Sequence, residues 1–258
     1  MVDYIAGLAL KAGARVGRGY YNNVQRGKNS SKSLLETIQK TEGTPVITEV
    51  KFASPSAGKI REHVDPLRIA TAMLKGGACA ISVLTDPEDF QGNMDTLAVL
   101  SREVDIPLVM KDIIVSPVQI QAAARAGARA VVLISELFSR RLAEEPLDRL
   151  VREASRLGLE VLLEANSPEE FRKLPEHKPD LYGINNRNLS TFQLDLSTTE
   201  RVLTMNGHVD RPVVSESGIE NPRDIVRLNN AGAEAFLVGT SIMKSSDVES
   251  KVRELVNA

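Results

Sequence analysis

The chain is organised around the stretch PVITEVKFASPSAG, which occupies residues 45–58. Its first seven residues favour a β-strand, because β-branched residues are frequent there. Side chains alternate between the two faces of a strand, so Glu49 and Lys51 point the same way. The serine-rich loop that follows offers hydroxyl and backbone N–H groups that suit an anion. Taken alone, the stretch fits two interpretations equally well: an edge strand with two solvated charges, or a buried strand whose acid and base are paired and used.

Length and composition limit the class of protein. The 258 residues fit one α/β barrel domain, and a net charge of −2 gives no sign of nucleic acid or an anionic membrane as a partner. No run of residues is long and apolar enough to span a bilayer. The single cysteine, Cys79, excludes an intrachain disulfide, so we expect a reducing, cytoplasmic setting with Cys79 as a small core residue. His63, His177 and His208 lack metal-ligand spacing and are expected at the surface.

The N-terminal segment is predicted to be helical. Residues 1–10 indicate an amphipathic helix rather than a secretion signal, because no basic segment precedes them and Lys11 interrupts them early. Residues 31–40 indicate a second helix, with Ser33 and Glu36 in capping-box spacing. From Lys11 to Lys32 the charges are all basic. We favour a solvated helical face over a basic lid that concentrates an anionic substrate. The residues are Lys11, Arg15, Arg18, Arg26, Lys28 and Lys32.

From residue 45 onward, short runs rich in β-branched residues alternate with amphipathic helical runs. The predicted strands are Val46–Lys51, Ala80–Leu84, Leu108–Asp112, Ala130–Ile134, Glu160–Glu164, Tyr182–Asn185, Val213–Glu216 and Ala235–Val238. The predicted helices are Asp65–Lys75, Met94–Glu103, Val118–Ala126, Ser139–Leu157, Pro168–Lys173, Thr198–Met205, Pro222–Asn230 and Ser245–Val256. Such alternation implies parallel strands joined by helical crossovers.

One helix-to-strand corner recurs as a Gly-Ala pair at residues 77–78, 127–128 and 232–233. Glycine suits the left-handed position after a helix, so the corner indicates a repeated architecture. Eight strands with helices between them favour a (β/α)₈ TIM barrel. The alternative, a doubly wound open sheet, would be expected to show G-x-G-x-x-G spacing after its first strand. We predict a single domain, with residues 1–43 as an N-terminal helical extension and residues 44–258 as the barrel.

Charged residues cluster where such a barrel carries out its chemistry, at the C-terminal ends of the strands. On the odd-numbered strands they are Glu49, Lys51, Lys111, Glu164 and Glu216. Alternate strands share layers of side chains, so we expect a ring of charges of both signs. Neighbouring opposite charges stay ionised while burial shifts their pKa values, which suits general acid–base catalysis. Each residue alone could be a solvated strand end, but the set favours the catalytic interpretation.

A second group of residues indicates a phosphate site. Barrels of this kind often bind phosphate on the loops after the seventh and eighth strands, and the first strand adjoins the eighth once the barrel closes. The candidates on these three loops are Ser54, Ser56, Ser217, Gly218, Gly239 and Thr240. We therefore expect a small phosphorylated substrate. The alternative is that the glycines only make tight turns.

These motifs together resemble the indole-3-glycerol phosphate synthase family, from about residue 44 to the C-terminus. They are ExKxxSPSxG at 49–58, KD at 111–112, LLE at 162–164, GINNRNL at 183–189 and SESGI at 215–219. The loop at residues 85–92, which contains Phe90, also resembles the family's. The resemblance implies ring closure, decarboxylation and dehydration of 1-(2-carboxyphenylamino)-1-deoxyribulose 5-phosphate to indole-3-glycerol phosphate, in tryptophan biosynthesis. It implies no metal and no organic cofactor.

The resemblance further implies catalytic roles. Lys111 would be the main general acid, protonating the ribulose carbonyl as the ring carbon attacks. Glu164 and Lys51 would serve the dehydration as base and acid, in an order that the sequence does not set. The groups that bind substrate hydroxyls and position the lysines would be Glu49, Asn185 and Glu216.

The same resemblance implies where the ends of the substrate lie. Ser54, Gly218, Gly239 and Thr240 would hold the phosphate. The anthranilate carboxylate would lie near Arg187 and the Ser-Pro-Ser loop. An anthranilate ring also needs an apolar wall. The candidates for it are Phe90, Met110 and Leu133.

Two positions depart from the family pattern. Ile113 stands where an aromatic residue is frequent and Phe52 where a basic residue is common, and we expect both to alter local packing without removing a charge from the ring. Residues 1–43 match loosely and are expected to help cover the barrel mouth. The expected form is a monomer.

Two other functions are weighed against the synthase. One is another phosphate-binding barrel enzyme, either an isomerase or an aldolase that forms a Schiff base through Lys51 or Lys111. The other is a catalytically silent barrel that serves as a binding module. A silent barrel would be expected to have lost charges from the ring, and none is missing from this sequence.

Overall fold

The structure is a computed structural model that describes residues 3–28, 32–62, 64–207 and 209–258. The predictions for His63 and His208, and for the first residue of the second helix, Ser31, fall outside the described residues. Within them, His177 is partly exposed and its Nδ1 lies 2.5 Å from a carboxylate oxygen of Asp148. None of the described helices is both long and apolar enough to cross a membrane.

Eight parallel strands form a closed barrel, as the sequence predicts. They are β1 Val46–Val50, β2 Ala80–Leu84, β3 Leu108–Lys111, β4 Ala130–Ile134, β5 Glu160–Ala165, β6 Leu181–Asn185, β7 Val213–Glu216 and β8 Ala235–Val238. Each strand pairs with its neighbour in the chain, and β8 closes the barrel on β1, where Ile47 is opposite Leu237. Lys51 and Asp112 lie one residue beyond their strands. A short antiparallel hairpin, Ala53–Ser54 with Gly58–Lys59, stands directly above β1.

The first helices precede β1, and the later ones follow the strands around the outside of the barrel. They are α1 Tyr4–Gly17, α2 Leu34–Lys40, α3 Pro66–Lys75, α4 Met94–Glu103, α5 Pro117–Arg125, α6 Ser135–Ser139, α7 Leu147–Arg156, α8 Pro168–Phe171, α9 Ser197–Asn206, α10 Pro222–Asn230, α11 Thr240–Lys244 and α12 Val248–Val256. A 3₁₀ turn, Leu174–His177, follows α8. Sequence reasoning missed α11, which begins directly after β8.

The predicted helix Ser139–Leu157 is confirmed only in its second part, as α7, and a loop precedes α7. The short helix α6, which ends at Ser139, was not predicted. Arg141 adopts a left-handed conformation with φ 57°, which ends α6. Pro146 then caps the start of α7, and proline lacks the N–H that a continuous helix would need there. The break has a structural use, since the Glu144 N–H donates to the carbonyl of Val115 at 2.8 Å and ties the loop to the barrel mouth.

The recurrent helix-to-strand corner is confirmed. Gly77, Gly127 and Gly232 have φ values of 98°, 84° and 110°. Each lies between the end of a helix and the start of a strand, in the left-handed region that costs a residue with a Cβ. Cys79 lies just after the first of these corners. Cys79 is buried among core side chains, which confirms the prediction of a core residue, and burial raises the pKa of its thiol to about 12.

The N-terminal segment covers both ends of the barrel. α2 closes the bottom, where Leu34 and Ile38 pack against the inward-facing side chains at the strand starts. The carboxylate of Glu160, the first residue of β5, accepts from the Leu34 N–H at 2.6 Å and from the Ser33 hydroxyl. α1 lies at the opposite end, against α6 and the barrel mouth. The expectation that this whole segment helps cover the mouth therefore fits α1 but not α2.

The expectation of a solvated basic face fits Lys11 and Arg18, whose side chains are 49% and 63% exposed, but it is wrong for Arg15. The Arg15 side chain is 1% exposed, and its guanidinium lies 2.8 Å from the carboxylate of Asp86 and 3.4 Å from that of Asp112. Both acids lie at the barrel mouth, Asp86 after β2 and Asp112 after β3. Burial raises the pKa of Asp112 to about 6, although Arg15 lowers it. Arg15 therefore attaches α1 to the barrel.

Candidate active site

A cavity of about 270 Å³ opens at the C-terminal ends of the barrel strands. This is the end at which barrels of this class carry out chemistry. The predicted catalytic and phosphate-binding residues, together with Arg187 and Phe90, all line this one cavity. They are Glu49, Lys51, Ser54, Ser56, Phe90, Lys111, Glu164, Asn185, Arg187, Glu216, Ser217, Gly218, Gly239 and Thr240.

The ammonium group of Lys111 is held between two buried carboxylates. Its Nζ donates to Glu164 Oε2 and to Glu216 Oε2, both at 2.9 Å. Burial by itself lowers the pKa of Lys111, but the carboxylates of Glu164, Glu216 and Glu49 together raise it above its usual value. Lys111 therefore carries its proton at neutral pH, at the base of the cavity.

Glu216 also makes this cluster sensitive to pH. Burial raises the pKa of its carboxyl to about 7, while the charge of Lys111 opposes the shift. One oxygen, Oε2, binds Lys111. The other, Oε1, is buried and has no hydrogen-bond partner among the residues that the structure describes. It can therefore accept a hydrogen bond from a bound molecule.

A second ion pair lies at the end of β1. Lys51 Nζ is 2.6 Å from Glu49 Oε1, and Glu49 is almost completely buried. The pair packs against Gly239 at the end of β8. A Cβ on Gly239 would come within 2.4 Å of Glu49 Oε1, so only glycine leaves room for this carboxylate.

Asn185 links β5 to the loop after β6. Its Nδ2 donates to Glu164 Oε1 at 2.7 Å, and its Oδ1 accepts from the Arg187 N–H at 2.9 Å. The Arg187 guanidinium donates to the carbonyl of Phe192 at 3.1 Å. Within the described ranges no carboxylate forms an ion pair with Arg187, so its charge remains available to an anion in the cavity.

The candidate phosphate residues meet at one side of the cavity. Ser217 and Gly218 both lie in the left-handed region, with φ 70° and 83°. Ser217 is unusual there, because a side chain makes this conformation costly. α11 begins at Thr240, and the first N–H groups of a helix have no partner within it. Ser54, above β1, lies beside this corner because β1 and β8 are neighbours.

Two of the three residues expected to form an apolar wall do not reach the cavity. Phe90 lines it, but Met110 and Leu133 are fully buried between the barrel and its helices. Side chains alternate along a strand, so Met110 points outward because Lys111 points inward. The apolar residues that do line the cavity include Ile113, Ile134, Leu189, Phe192 and Leu194.

Sequence reasoning also missed a cation at the cavity. Lys244 lines it from the end of α11, four residues after Thr240. The i, i+4 spacing from Thr240 is a signal that could have found it once a helix after β8 was recognised. Of the two departures, Ile113 lines the cavity, whereas Phe52 is buried in the core.

Fold and cavity together define a (β/α)₈-barrel protein with charged groups gathered at the C-terminal ends of its strands. Solved structures agree on the fold. A thiamine phosphate pyrophosphorylase from Pyrococcus furiosus has a TM-score of 0.59 and 20% identity, covering 82% of this chain and 93% of that one. The sequence model of the family described as indole-3-glycerol phosphate synthase matches residues 11–255. The chain belongs to this family, whose members are decarboxylating lyases of tryptophan biosynthesis.

Curated relatives of this chain carry the same family name. An indole-3-glycerol phosphate synthase from Rhodopirellula baltica is 43% identical over 220 residues, covering 85% of this chain and 83% of the relative. One from Shouchella clausii is 41% identical over 226 residues, covering 87% of each chain. The resemblance seen in the sequence motifs is therefore confirmed over most of the chain.

Proposed function

We propose that the chain converts 1-(2-carboxyphenylamino)-1-deoxyribulose 5-phosphate to indole-3-glycerol phosphate by general acid–base catalysis, with Lys111 as the main acid. The observation that carries this assignment is the position of the Lys111 ammonium group, which is half-buried between two carboxylates and open to the cavity. Such a group donates a proton only where a stronger base develops close to it, as an alkoxide does.

Ring closure forms a bond between the carboxyl-bearing ring carbon and the ribulose carbonyl carbon. Negative charge develops on the carbonyl oxygen, and Lys111 transfers its proton to that oxygen. Loss of CO₂ then returns the bonding electron pair to the ring. The neighbouring carboxylates are already in place before reaction, so little reorganisation is needed as the charge moves.

Dehydration completes the indole. A proton leaves the carbon next to the ring nitrogen, and the hydroxyl group leaves as water after accepting a proton. Glu164 and Lys51 serve these two transfers as base and acid. Their partners support this, because Glu164 is oriented by Asn185 and Lys111 while Lys51 is held by Glu49.

Three residues would bind hydroxyl groups of the substrate chain and hold the lysines. They are Glu49, Asn185 and Glu216. Glu216 is suited to this role because Oε2 holds Lys111 while Oε1 is left to accept a hydroxyl. A substrate that satisfies Oε1 also removes the cost of a buried acceptor without a partner.

The two anionic ends of the substrate are assigned to two different groups of residues. The phosphate is held at the corner formed by Ser54, Ser56, Ser217, Gly218, Gly239 and Thr240. The anthranilate carboxylate lies near Arg187, which has no carboxylate partner within the described ranges. Phe90 and the apolar residues of the loop after β6 enclose the aromatic ring.

The wider setting is part of the same proposal. The chain acts as a single-domain monomer in the cytoplasm, on a small phosphorylated substrate and without a metal or organic cofactor. A single buried cysteine fits a reducing compartment. The three lysines that line the cavity, Lys51, Lys111 and Lys244, support chemistry without a cofactor, since lysines can supply the proton transfers.

The test is a fluorescence assay with the carboxyphenylamino substrate, following the indole product with EDTA present. We expect turnover in the wild type, none in Lys111→Ala, and normal turnover in Lys59→Ala, which changes an exposed lysine outside the cavity. Near-normal activity in folded Lys111→Ala refutes the role of Lys111. Borohydride trapping of an adduct on Lys51 or Lys111 with a carbonyl substrate would favour the aldolase alternative.

A further inference from the structure

Asn186 is a buried polar residue next to the site that the proposed mechanism does not use. It follows β6 directly, between Asn185 and Arg187, which both line the cavity. Asn186 itself does not line the cavity and is 1% exposed. A buried amide is costly unless its hydrogen bonds are made, so their partners indicate what it does.

Every hydrogen-bonding position of the Asn186 side chain is occupied. Its Nδ2 donates to Ser215 Oγ and to the carbonyl of Ser217, each at 3.1 Å. Its Oδ1 accepts from the Thr199 N–H at 3.1 Å and from the Thr199 hydroxyl at 2.9 Å. The Thr199 and Ser215 hydroxyls lie 2.8 Å apart and close the network. The amide thus joins the end of β6, the end of β7 and the start of α9.

The carbonyl of Ser217 is the informative partner. Ser217 and Gly218 both have positive φ, and a residue with a side chain holds such a conformation only where its surroundings enforce it. Asn186 supplies one such constraint from behind the turn. The side of the turn that faces the cavity stays free for a ligand.

We propose that Asn186 is a positioning residue that keeps the Ser217–Gly218 turn in the conformation that binds the substrate's phosphate group. This inference rests on the proposed function, in which that turn forms part of the phosphate site. Only an amide fits this position, because two acceptors face its Nδ2 and two donors face its Oδ1. A carboxylate would direct an oxygen at the Ser217 carbonyl and push the turn away.

The test compares Asn186→Asp with Asn206→Asp. Asn206 is a partly buried asparagine at the end of α9, whose Nδ2 donates to the carbonyls of Val202 and Pro168, far from the cavity lining. We expect Asn186→Asp to raise the substrate KM and the inhibition constant of inorganic phosphate together, by roughly 5- to 30-fold, with kcat nearly unchanged. The Asn206→Asp variant should keep all three values.

A second variant distinguishes weakened phosphate binding from misfolding. Thr199→Val keeps the volume of the side chain and removes the hydroxyl that Asn186 accepts from, so both constants should rise by a smaller factor. A merely structural role would lower thermal stability in the Asn186 and Thr199 variants while phosphate inhibition stays at the wild-type value, and that result overturns the inference.

Thr240→Asp distinguishes an error in the role of Asn186 from an error in the proposed phosphate site, because it places a carboxylate in that site without changing Asn186. If it weakens phosphate inhibition but Asn186→Asp does not, the role of Asn186 is wrong and the phosphate site stands. If neither variant changes phosphate inhibition, the proposed phosphate site is wrong, and the inference falls with it.

Discussion

The ion pairs of Arg15 with Asp86 and Asp112 are predicted to hold the N-terminal helix α1 on the barrel. Replacing Arg15 by leucine removes a cation that is 1% exposed and leaves Asp86 and Asp112 buried without it. Asp112 keeps hydrogen bonds from Tyr21 at 2.9 Å and Thr85 at 2.6 Å, so the variant should fold. Its stability should nevertheless fall, because two carboxylates then repel each other in a medium of low polarity.

The size of the effect follows from burial. Removing one partner of a buried ion pair costs about 3–5 kcal/mol. For a protein of this length each kcal/mol shifts Tm by about 2–4 °C, so the melting temperature should fall by roughly 6–20 °C. Arg18 provides the matched control. It directly follows the same helix and pairs with Glu88 at 2.6 Å, but its side chain is 63% exposed, so Arg18→Leu should cost less than about 1 kcal/mol.

The assay is urea unfolding at pH 8 and at pH 5. Burial raises the pKa of Asp112 to about 6 and raises that of Asp86, and without Arg15 both values rise further. At pH 5 the Asp112 carboxyl holds a proton and needs no cation, and the raised pKa of Asp86 acts in the same direction, so the stability difference between wild type and Arg15→Leu should shrink. Equal losses for Arg15→Leu and Arg18→Leu, or a difference that stays the same at pH 5, would refute the reasoning.

Four further predictions concern the ends of the barrel. Gly239→Ala puts a methyl group 2.4 Å from Glu49 Oε1, so the displaced carboxylate should lower kcat/KM by on the order of 100-fold in steady-state kinetics. Leu34→Ala opens a cavity at the barrel bottom and should cost about 2–5 kcal/mol in urea unfolding, with kinetics at low temperature unchanged. The carboxyl of Glu216, with its pKa of about 7, should make kcat/KM fall as pH drops below neutrality, and Glu216→Gln should lose that limb of the profile. The same group should make wild-type stability fall as pH rises from about 4.5 to about 7, because the folded state there retains a proton that the unfolded state has lost, and Glu216→Gln should remove this slope.

Local chemistry explains why much of the site could be predicted. Residues at the C-terminal ends of parallel strands meet at one end of a barrel whatever their separation in sequence, so Lys111 and Glu164 had to converge once the strands were recognised. Short-range sequence signals also located the glycine corners, as the positive φ of Gly77 shows. Which side chains of a strand face the barrel interior was harder to predict, because strands buried on both faces do not alternate between polar and apolar residues. Met110 was therefore misplaced although its neighbour Lys111 was placed correctly.

The sequence by itself determined the eight strands, the order in which they form the barrel, and the charged and phosphate-binding candidates at their C-terminal ends, because these depend on periodicity and on residues next to strand ends. Only the tertiary structure decided which charges pair. Arg15 is a surface residue by its local pattern, yet it is buried against Asp86 and Asp112, which are distant in sequence. The hydrogen bonds of Asn186 likewise join three separate elements. Such contacts depend on how packed elements meet, and no local pattern contains that information.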